Sequence, residues 1–516
     1  MNYYIIFFVI LLIWLGFLFI INFYIKNNKN FSLYGPALMF KTERGKKFIE
    51  KISRFKIWKK YGTFGIILSF IIMFGTLILL LWEATLVTAI PKSSAPSPLE
   101  ALGLPGINPL IPIWYGLLAI IIAVVIHELS HGILTKNQNM KINSLGILFF
   151  IVPVGAFVEP DEEELAKAPR LKRMRVYAAG ATTNIIVAVI TALLFFSLFA
   201  SVTPITQGAV ITAVYTDPFN NLSPGMEITN FNNTTITTIT QFNSEMVTPG
   251  SKVNTTIFYN NNFRNTELYG GVIIIDVLLG TPAAEAKLKT GELIANINNV
   301  TIYNTQILNN FLDNSRAGQM INISLLQYSE TGILTVQKSI ILMDKYAYYA
   351  QNAPGLNNNS YKGHGFLGIS SSYLGVTMMN VSEIPAIMSN PVGPITVQNL
   401  FHGFILFIAL PFYGLAPLSS SLANLYNTPF YAPLFWITVN VIYWIFWLDL
   451  MLGMTNLLPA IPLDGGFLFR DAFSIFLHKM NLKIKNFDRA ANIITGTLSV
   501  LILFLILWLF IGPRVL

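Results

Sequence analysis

Three ionisable side chains interrupt a long apolar stretch, and their placement constrains the fold more than any other feature of the chain. His127, Glu128 and His131 lie within residues 113–134, which contain no other charged side chain. About 20 consecutive apolar residues are enough to cross a bilayer as a helix. A charged group at that depth costs about 2.5–3.5 kcal/mol, so it rarely occurs there without a partner or a function. We therefore expect a membrane helix whose polar residues carry chemistry that needs water.

The three residues form an HExxH motif, which depends on helical geometry. Two His at positions i and i+4 share one helix face about 6 Å apart, close enough to bind one Zn²⁺, and the Glu between them can then act on water held by the metal. A tetrahedral zinc site needs one more protein ligand and an open position for water. Because the chain contains no Cys, that ligand is expected to be a carboxylate. The candidates are Asp449, Asp464 and Glu159.

The composition is that of a protein that crosses the membrane several times. Hydrophobic residues make up 53% of the 516 residues and charged residues only 11%, far from soluble globular usage. The net charge of +8 is concentrated, with eleven Lys or Arg in 26–60 and five more in 470–489. Such clusters are typical of loops on the inner side that contact anionic lipid headgroups. The predicted partner of these charges is the lipid bilayer, and no nucleic acid is needed to explain them.

Six apolar runs are long enough to span the membrane, and they fall at 3–25, 61–86, 113–136, 176–202, 433–458 and 493–511. Two others are not. The run 144–158 is only about 15 residues long and contains Gly and Pro, so we expect a re-entrant or interfacial strand pair near the active site. The run 399–418 is broken by Pro and Gly; a full crossing would place Asp464 and His127 on opposite sides, so a re-entrant hairpin is expected.

Between these membrane parts, residues 205–375 are rich in Asn, Thr, Gly and β-branched residues with alternating polarity, which predicts a β-rich domain on the outer side. An imperfect repeat begins at Gly208 and again at Gly270, and both copies resemble PDZ domains. The first copy lacks its final strand. We expect that 363–369 supplies it, so that one PDZ-like fold is inserted into the other. These domains are expected either to bind a peptide or a C-terminus, or only to exclude substrates with bulky ectodomains.

A second motif in the last third of the chain gives the pattern a family resemblance. Asn456 to Gly465 reads NLLPAIPLDG, and together with HELSH it resembles the NxxPxxxLDG and HExxH signatures of the site-2 protease family of intramembrane zinc metalloproteases, peptidase family M50. The stretch 146–165, followed by Gly180-x-x-x-Asn184, is similar to the branch that contains the eukaryotic site-2 protease. The resemblance covers about 113–511, and the doubled PDZ-like insertion and Cys-free outer domain indicate a prokaryotic member.

The resemblance implies a set of roles at numbered positions. Zn²⁺ would be bound by His127, His131 and Asp464, with Glu128 as the general base. Asn456 and Asn184 would have supporting roles near the substrate, as strand-holding or oxyanion-donating residues. Asp464 as a turn residue before two glycines, and Asp449 as the ligand in its place, remain open on the sequence alone.

The predicted fold is a polytopic α-helical membrane protein with about six transmembrane helices, re-entrant β-hairpin segments and an extracytoplasmic β-rich, PDZ-like domain. Its expected parts are an N-terminal transmembrane hairpin (1–90), two halves of a catalytic core (113–204 and 395–516) and the PDZ-like region (205–375). The expected activity is cleavage of transmembrane protein substrates in the cell membrane. The alternative is a non-catalytic PDZ-bearing receptor or scaffold with a structural metal.

Overall fold

A computed structural model describes residues 3–25, 30–87, 97, 99, 103–150, 152–329, 332–352, 356–413, 415–480 and 486–515. The chain divides into two compact units. The membrane unit comprises Met1–Thr85, Pro96–Leu193 and Val441–Gly512, and the β-rich unit comprises Leu86–Ala95, Leu194–Asn440 and Pro513–Leu516. In chain order, most of the β-rich unit therefore lies between two parts of the membrane unit.

The helices are α1 (Tyr3–Ile25), α2 (Lys46–Ser53), α3 (Ile57–Leu86), α4 (Ile113–Asn137), α5 (Glu162–Lys167), α6 (Arg170–Ala200), α7 (Ile239–Ser244), α8 (Pro282–Glu285), α9 (Thr305–Asp313), α10 (Lys345–Asn352), α11 (Glu383–Ser389), α12 (Val397–Ala409), α13 (Ser420–Ala423), α14 (Ala432–Asn456), α15 (Asp464–Lys479) and α16 (Phe487–Val515).

The strands are β1 (Phe31–Tyr34), β2 (Ala37–Thr42), β3 (Ile142–Phe150), β4 (Val152–Pro160), β5 (Thr203–Pro204), β6 (Ala209–Val214), β7 (Glu227–Phe231), β8 (Thr234–Thr235), β9 (Lys252–Tyr259), β10 (Asn262–Tyr269), β11 (Val272–Val277), β12 (Leu293–Ile297), β13 (Val300–Thr301), β14 (Met320–Ser329), β15 (Gly332–Ile341), β16 (Met343–Asp344), β17 (Gly365–Phe366), β18 (Ile369–Tyr373), β19 (Val376–Asn380) and β20 (Tyr426–Asn427).

Five helices in the described part of the chain are long and apolar enough to cross a membrane: α3, α4, α6, α14 and α16. They match five of the six runs predicted from the sequence, and the protein is an integral membrane protein. The sixth run coincides with α1, where Leu12–Tyr24 is apolar. By contrast, α12 has 13 residues and is therefore about 20 Å long, too short for a hydrocarbon core of about 30 Å. This length agrees with the expectation that 399–418 does not fully cross, while the number of crossings stays a prediction.

A four-stranded antiparallel sheet in the order β1-β2-β3-β4 belongs to the membrane unit. The predicted strand pair in 144–158 is confirmed as the hairpin of β3 and β4, whose register runs from Ile142 opposite Pro160 to Phe150 opposite Val152. The sequence did not predict β1 and β2, which lie in the segment read as a basic loop. Strand β2 pairs with β3, so β4 is left as the end strand of the sheet.

The β-rich unit contains two nested antiparallel sheets. The first has the order β10-β9-β7-β6-β19 and the second the order β15-β14-β12-β11-β18, with one short strand beside each. Every strand of the second sheet lies in sequence between β10 and β19. Buried side chains of both sheets, including Ile211 of the first and Ile274 of the second, belong to one continuous hydrophobic cluster. The nesting of two sheets agrees with the proposed insertion, whereas their assignment as PDZ folds stays a prediction.

The expectation that 363–369 supplies the last strand of the first sheet is wrong. That strand is β19, which pairs with β6 from Val376 opposite Val214 to Asn380 opposite Ala209. Residues Gly365–Phe366 instead form β17, which pairs with β16. The chain passes from the second sheet to the first through Leu374 and Gly375, which both adopt a left-handed backbone conformation with φ of 55° and 71°. This tight turn lets consecutive strands join different sheets, so the sheet region extends to Asn380.

Candidate metal centre

Helix α4 presents the HExxH side chains to a shared cavity. The helix begins after Pro112, whose carbonyl accepts the first helical hydrogen bond from the Gly116 N–H at 2.8 Å. His127 and His131 lie one turn apart, with ring centroids 4.7 Å apart and planes inclined by 70°. His127 is buried at 6% exposure, and its Nε2 lies 3.1 Å from that of His131. The helical spacing therefore brings both imidazoles to one point, as the sequence predicts.

The third donor comes from the start of α15, just after the loop that follows α14. Pro459 and Pro462 interrupt the helical pattern after α14 ends at Asn456, and Asp464 is the first residue of α15. The first turn of α15 lies very close to the residues that follow α14: a Cβ added at Gly465 would lie 2.3 Å from the backbone of Leu457. The two glycines of the LDGG sequence are thus needed for this approach, since any side chain at Gly465 or Gly466 would clash with the backbone. The close approach positions the carboxylate of Asp464, which precedes them.

The three donor atoms meet at distances that suit a metal ion. Asp464 Oδ2 lies 3.2 Å from His127 Nε2 and 3.1 Å from His131 Nε2. Among the described residues, this is the only group of three or more His, Cys, Asp or Glu whose ligand atoms come so close together. Ligand atoms about 2.0–2.1 Å from a tetrahedral zinc ion lie about 3.3 Å from each other. The donor set and its spacing therefore fit Zn²⁺ held by two imidazoles and one carboxylate.

Both imidazoles are oriented by bonds on the side away from this point. His131 Nδ1 lies 2.8 Å from the carbonyl oxygen of Val176, and His127 Nδ1 lies 3.3 Å from Oδ1 of Asn184. Since a carbonyl and an amide oxygen can only accept, each Nδ1 donates and each Nε2 keeps its lone pair for a metal. Metal-binding His residues in proteins usually have such a partner on the second nitrogen.

The helix opposite the imidazoles leaves room for a metal because it carries a glycine there. A Cβ added at Gly180 of α6 would lie 2.5 Å from Nε2 of both His127 and His131. This glycine is one turn before Asn184, which is fully buried and whose Nδ2 donates to the carbonyl of Ala123 at 3.4 Å. Asn184 therefore contacts His127 on the side of Nδ1, away from the point where the three donor atoms meet. The sequence singled out Gly180-x-x-x-Asn184 through the family resemblance, but it did not predict this steric role of Gly180.

Glu128 and Asn456 line the same cavity as the three donors, a space of about 360 Å³. One carboxylate oxygen of Glu128 accepts a hydrogen bond from the backbone N–H of Val158 in β4 at 3.0 Å. That bond, like the Val176 carbonyl contact, involves main-chain atoms and has no signature in the sequence. It fixes the carboxylate at the wall of the cavity and leaves its second oxygen for a substrate or water.

The two other candidate carboxylates lie elsewhere. Glu159 accepts a hydrogen bond from the hydroxyl of Ser144 and forms an ion pair with the ammonium group of Lys41, which is 3.2 Å away. These two contacts, with the Ser144 hydrogen bond as the larger cause, hold the pKa of Glu159 below its ordinary value. Asp449 is fully buried in α14, and neither of its carboxylate oxygens has a hydrogen-bond partner among the described residues. Of the three carboxylates, Asp464 is the one that joins the imidazoles.

Comparisons with known proteins agree with this geometry. A protein of Methanocaldococcus jannaschii, itself described only as uncharacterized, is 34% identical over 172 residues, a match that covers 33% of this chain and 46% of that relative. The chain thus spans about half the length of the relative that it matches. A family model described as peptidase family M50 matches residues 115–503, which includes both motifs and the elements that bring them together. The chain therefore belongs to peptidase family M50, the site-2 protease family of membrane metalloproteases.

Proposed function

We propose that this protein is an intramembrane zinc endopeptidase that hydrolyses peptide bonds in or near the transmembrane segments of other membrane proteins. The observation that carries the proposal is the meeting of His127, His131 and Asp464 within 3.2 Å, with Glu128 in the same cavity. The helix that supplies two of these donors, α4, is one of the long apolar helices. Hydrolysis needs water and a general base, and the carboxylate of Glu128 in this cavity can serve as that base.

Metal binding, proton transfer and substrate binding are assigned to different residues of the site. His127, His131 and Asp464 would hold Zn²⁺, which would act as a Lewis acid: it would polarise the scissile carbonyl and lower the pKa of the attacking water toward about 7. Glu128 takes the proton of that water on its second carboxylate oxygen and passes it to the nitrogen of the leaving amine. The hydrogen bond from Val158 keeps Glu128 in place during both transfers. Asn456, at the cavity wall, donates its amide N–H groups to the substrate carbonyl or to a substrate strand.

Substrate entry is proposed to use the end strand of the four-stranded sheet. A helical peptide bond is shielded by its own hydrogen bonds, so the substrate segment must unwind before attack. Strand β4 pairs with β3 on one side, and Val158 and Pro160 of β4 line the cavity. An unwound segment that adds to the sheet edge beside β4 would form backbone hydrogen bonds with that strand next to the metal centre.

A separate role is proposed for the β-rich unit. Its two nested sheets would face the extracytoplasmic side, where they would bind a peptide or exclude substrates with bulky ectodomains.

The test is a Glu128→Gln variant assayed on a model transmembrane substrate in detergent and in vesicles. Glutamine keeps the shape and the Val158 hydrogen bond but cannot accept the proton, so we expect activity to fall by about 10²–10⁴-fold while bound zinc stays at the wild-type level. Glu163→Gln, on an exposed carboxylate of α5, is the matched control and should be as active as the wild type. Cleavage by Glu128→Gln at the wild-type rate would refute the assignment. Wild-type protein that binds zinc but hydrolyses no substrate would favour a receptor or scaffold with a structural metal.

A further inference from the structure

A second cavity in the membrane unit, about 390 Å³ in volume, is lined by charged side chains and shares no lining residue with the cavity of the metal centre. Its lining includes three guanidinium groups, of Arg170, Arg173 and Arg470, and two carboxylates, of Asp471 and Asp488. Three positive and two negative charges leave one net positive charge. We name this space the arginine cavity. Neither the proposed hydrolysis nor the ligation of zinc uses any of these residues.

The ion pairs within the arginine cavity leave one guanidinium without a carboxylate of its own. Arg173 binds Asp471 through two nitrogens, each 2.8 Å from a carboxylate oxygen, and Arg170 binds Asp488 at 2.8 Å. Arg470 approaches Asp471 only at 3.5 Å, through an oxygen that already accepts from Arg173. The excess positive charge is therefore associated with Arg470, which also lines the cavity and is partly exposed.

The arginine cavity lies at the ends of two long apolar helices. On α6 the basic residues end at Arg175 and the apolar stretch begins at Val176, and on α16 the apolar stretch begins just after Asn492, which also lines the cavity. This boundary is the level at which lipid headgroups meet a membrane protein. Both helices start here, at Arg170 and Phe487, so the positive ends of two helix dipoles add to the charge.

We propose that the arginine cavity binds the phosphate group of an anionic membrane lipid. Guanidinium groups bind phosphate oxygens through paired N–H donors, and basic pockets between membrane helices at the headgroup level are suited to phosphorylated headgroups. The lipid as source follows from the depth of the cavity, since its acyl chains would extend along the apolar parts of α6 and α16. Arg470 and Asp471 lie on α15, about two turns after its first residue, Asp464. A bound headgroup would thus hold the helix that supplies the third metal ligand.

The experiment compares lipid binding by the full-length protein and two double variants in nanodiscs of phosphatidylcholine to which phosphatidylglycerol is titrated. Retained lipid is counted by native mass spectrometry. Arg170→Gln/Arg470→Gln removes two cavity charges without leaving the buried Asp471 unpaired, and we expect its affinity for phosphatidylglycerol to fall about tenfold or more. Lys479→Gln/Arg489→Gln removes two exposed charges from α15 and α16 outside the cavity lining, and we expect a change of less than about twofold.

Several outcomes would overturn the proposal. Equal losses in the two double variants would show that a diffuse surface charge attracts the lipid, and no loss in either would show that the cavity does not bind it. If the first double variant does not fold, the single variant Arg170→Gln, at an exposed ion pair, replaces it with an expected loss of a few fold. Inorganic phosphate is added as a separate arm to protein in detergent. Thermal stabilisation by phosphate that equals that by phosphatidylglycerol would assign the cavity to soluble phosphate and not to a lipid.

Discussion

The steric space at Gly180 provides the sharpest test of the metal centre. In Gly180→Ala, the new Cβ would lie 2.5 Å from Nε2 of His127 and of His131, and ordinary contact begins at 3.4 Å. Each imidazole would have to move by the difference, about 0.9 Å, although zinc–ligand distances tolerate only about 0.2 Å. The rings cannot retreat easily, because their Nδ1 atoms are held by Asn184 and by the Val176 carbonyl.

The expected loss follows from that displacement. Changes that misplace a metal-binding His without removing it reduce metal affinity by about 10–100-fold, which corresponds to about 1.4–2.8 kcal/mol. We expect a loss in this range for Gly180→Ala and a decrease in peptidase activity at limiting zinc that is at least as large. The affinity is measured by competition with a chelator of known zinc affinity, and zinc content by elemental analysis of the purified protein.

The control for this experiment is another glycine in a membrane helix. Gly75 lies in α3, and a Cβ there would meet no atom within 4 Å, so Gly75→Ala changes the intrinsic helix propensity in the same direction without a clash. Its zinc affinity should equal that of the wild type. If Gly180→Ala binds zinc as tightly as Gly75→Ala does, and is equally active, the proposed position of the metal between α4 and α6 is incorrect.

Three further predictions concern other parts of the chain. Asn184→Leu should weaken zinc binding by about 10–100-fold, whereas Asn184→Asp, which still accepts from Nδ1 of His127, should retain most of the affinity in the same chelator competition. Arg173→Met should lower the free energy of unfolding by up to about 3–5 kcal/mol, because the carboxylate of Asp471, at 2% exposure, loses its two short hydrogen bonds and keeps only Arg470, 3.5 Å away; combining it with Asp471→Leu should recover much of the loss in denaturation experiments. Burial raises the pKa of Glu227 in β7 above its ordinary value of 4.5, so its contribution to stability is fully present below about pH 4.5 and is lost as the pH rises through the raised pKa. Glu227→Gln should flatten this dependence in thermal unfolding measured across pH, and an unchanged slope would contradict the assignment.

Local patterns determined much of the membrane unit. Apolar runs predicted α3, α4, α6, α14 and α16 to within about six residues at each end, because a helix satisfies its own backbone groups and only its length and side chains need to match the bilayer. The HExxH spacing predicted that His127 and His131 share a face, since positions i and i+4 lie above each other on any α-helix.

Long-range packing decided what these local rules leave open. Residue types and spacing left Asp464, Asp449 and Glu159 open as the third ligand, and only the family resemblance favoured Asp464. The choice depends on how α4, the loop before α15 and the β3–β4 hairpin pack. The sequence-based prediction of the last strand of the first sheet, 363–369, was also wrong. A turn at Leu374 and Gly375 separates β18, which pairs with β11, from β19, which pairs with β6. The hydrogen bonds from Val158 and to Val176 use main-chain groups, which give no signal in the sequence. The side-chain chemistry of the site was therefore determined by the sequence, and its assembly by the tertiary structure alone.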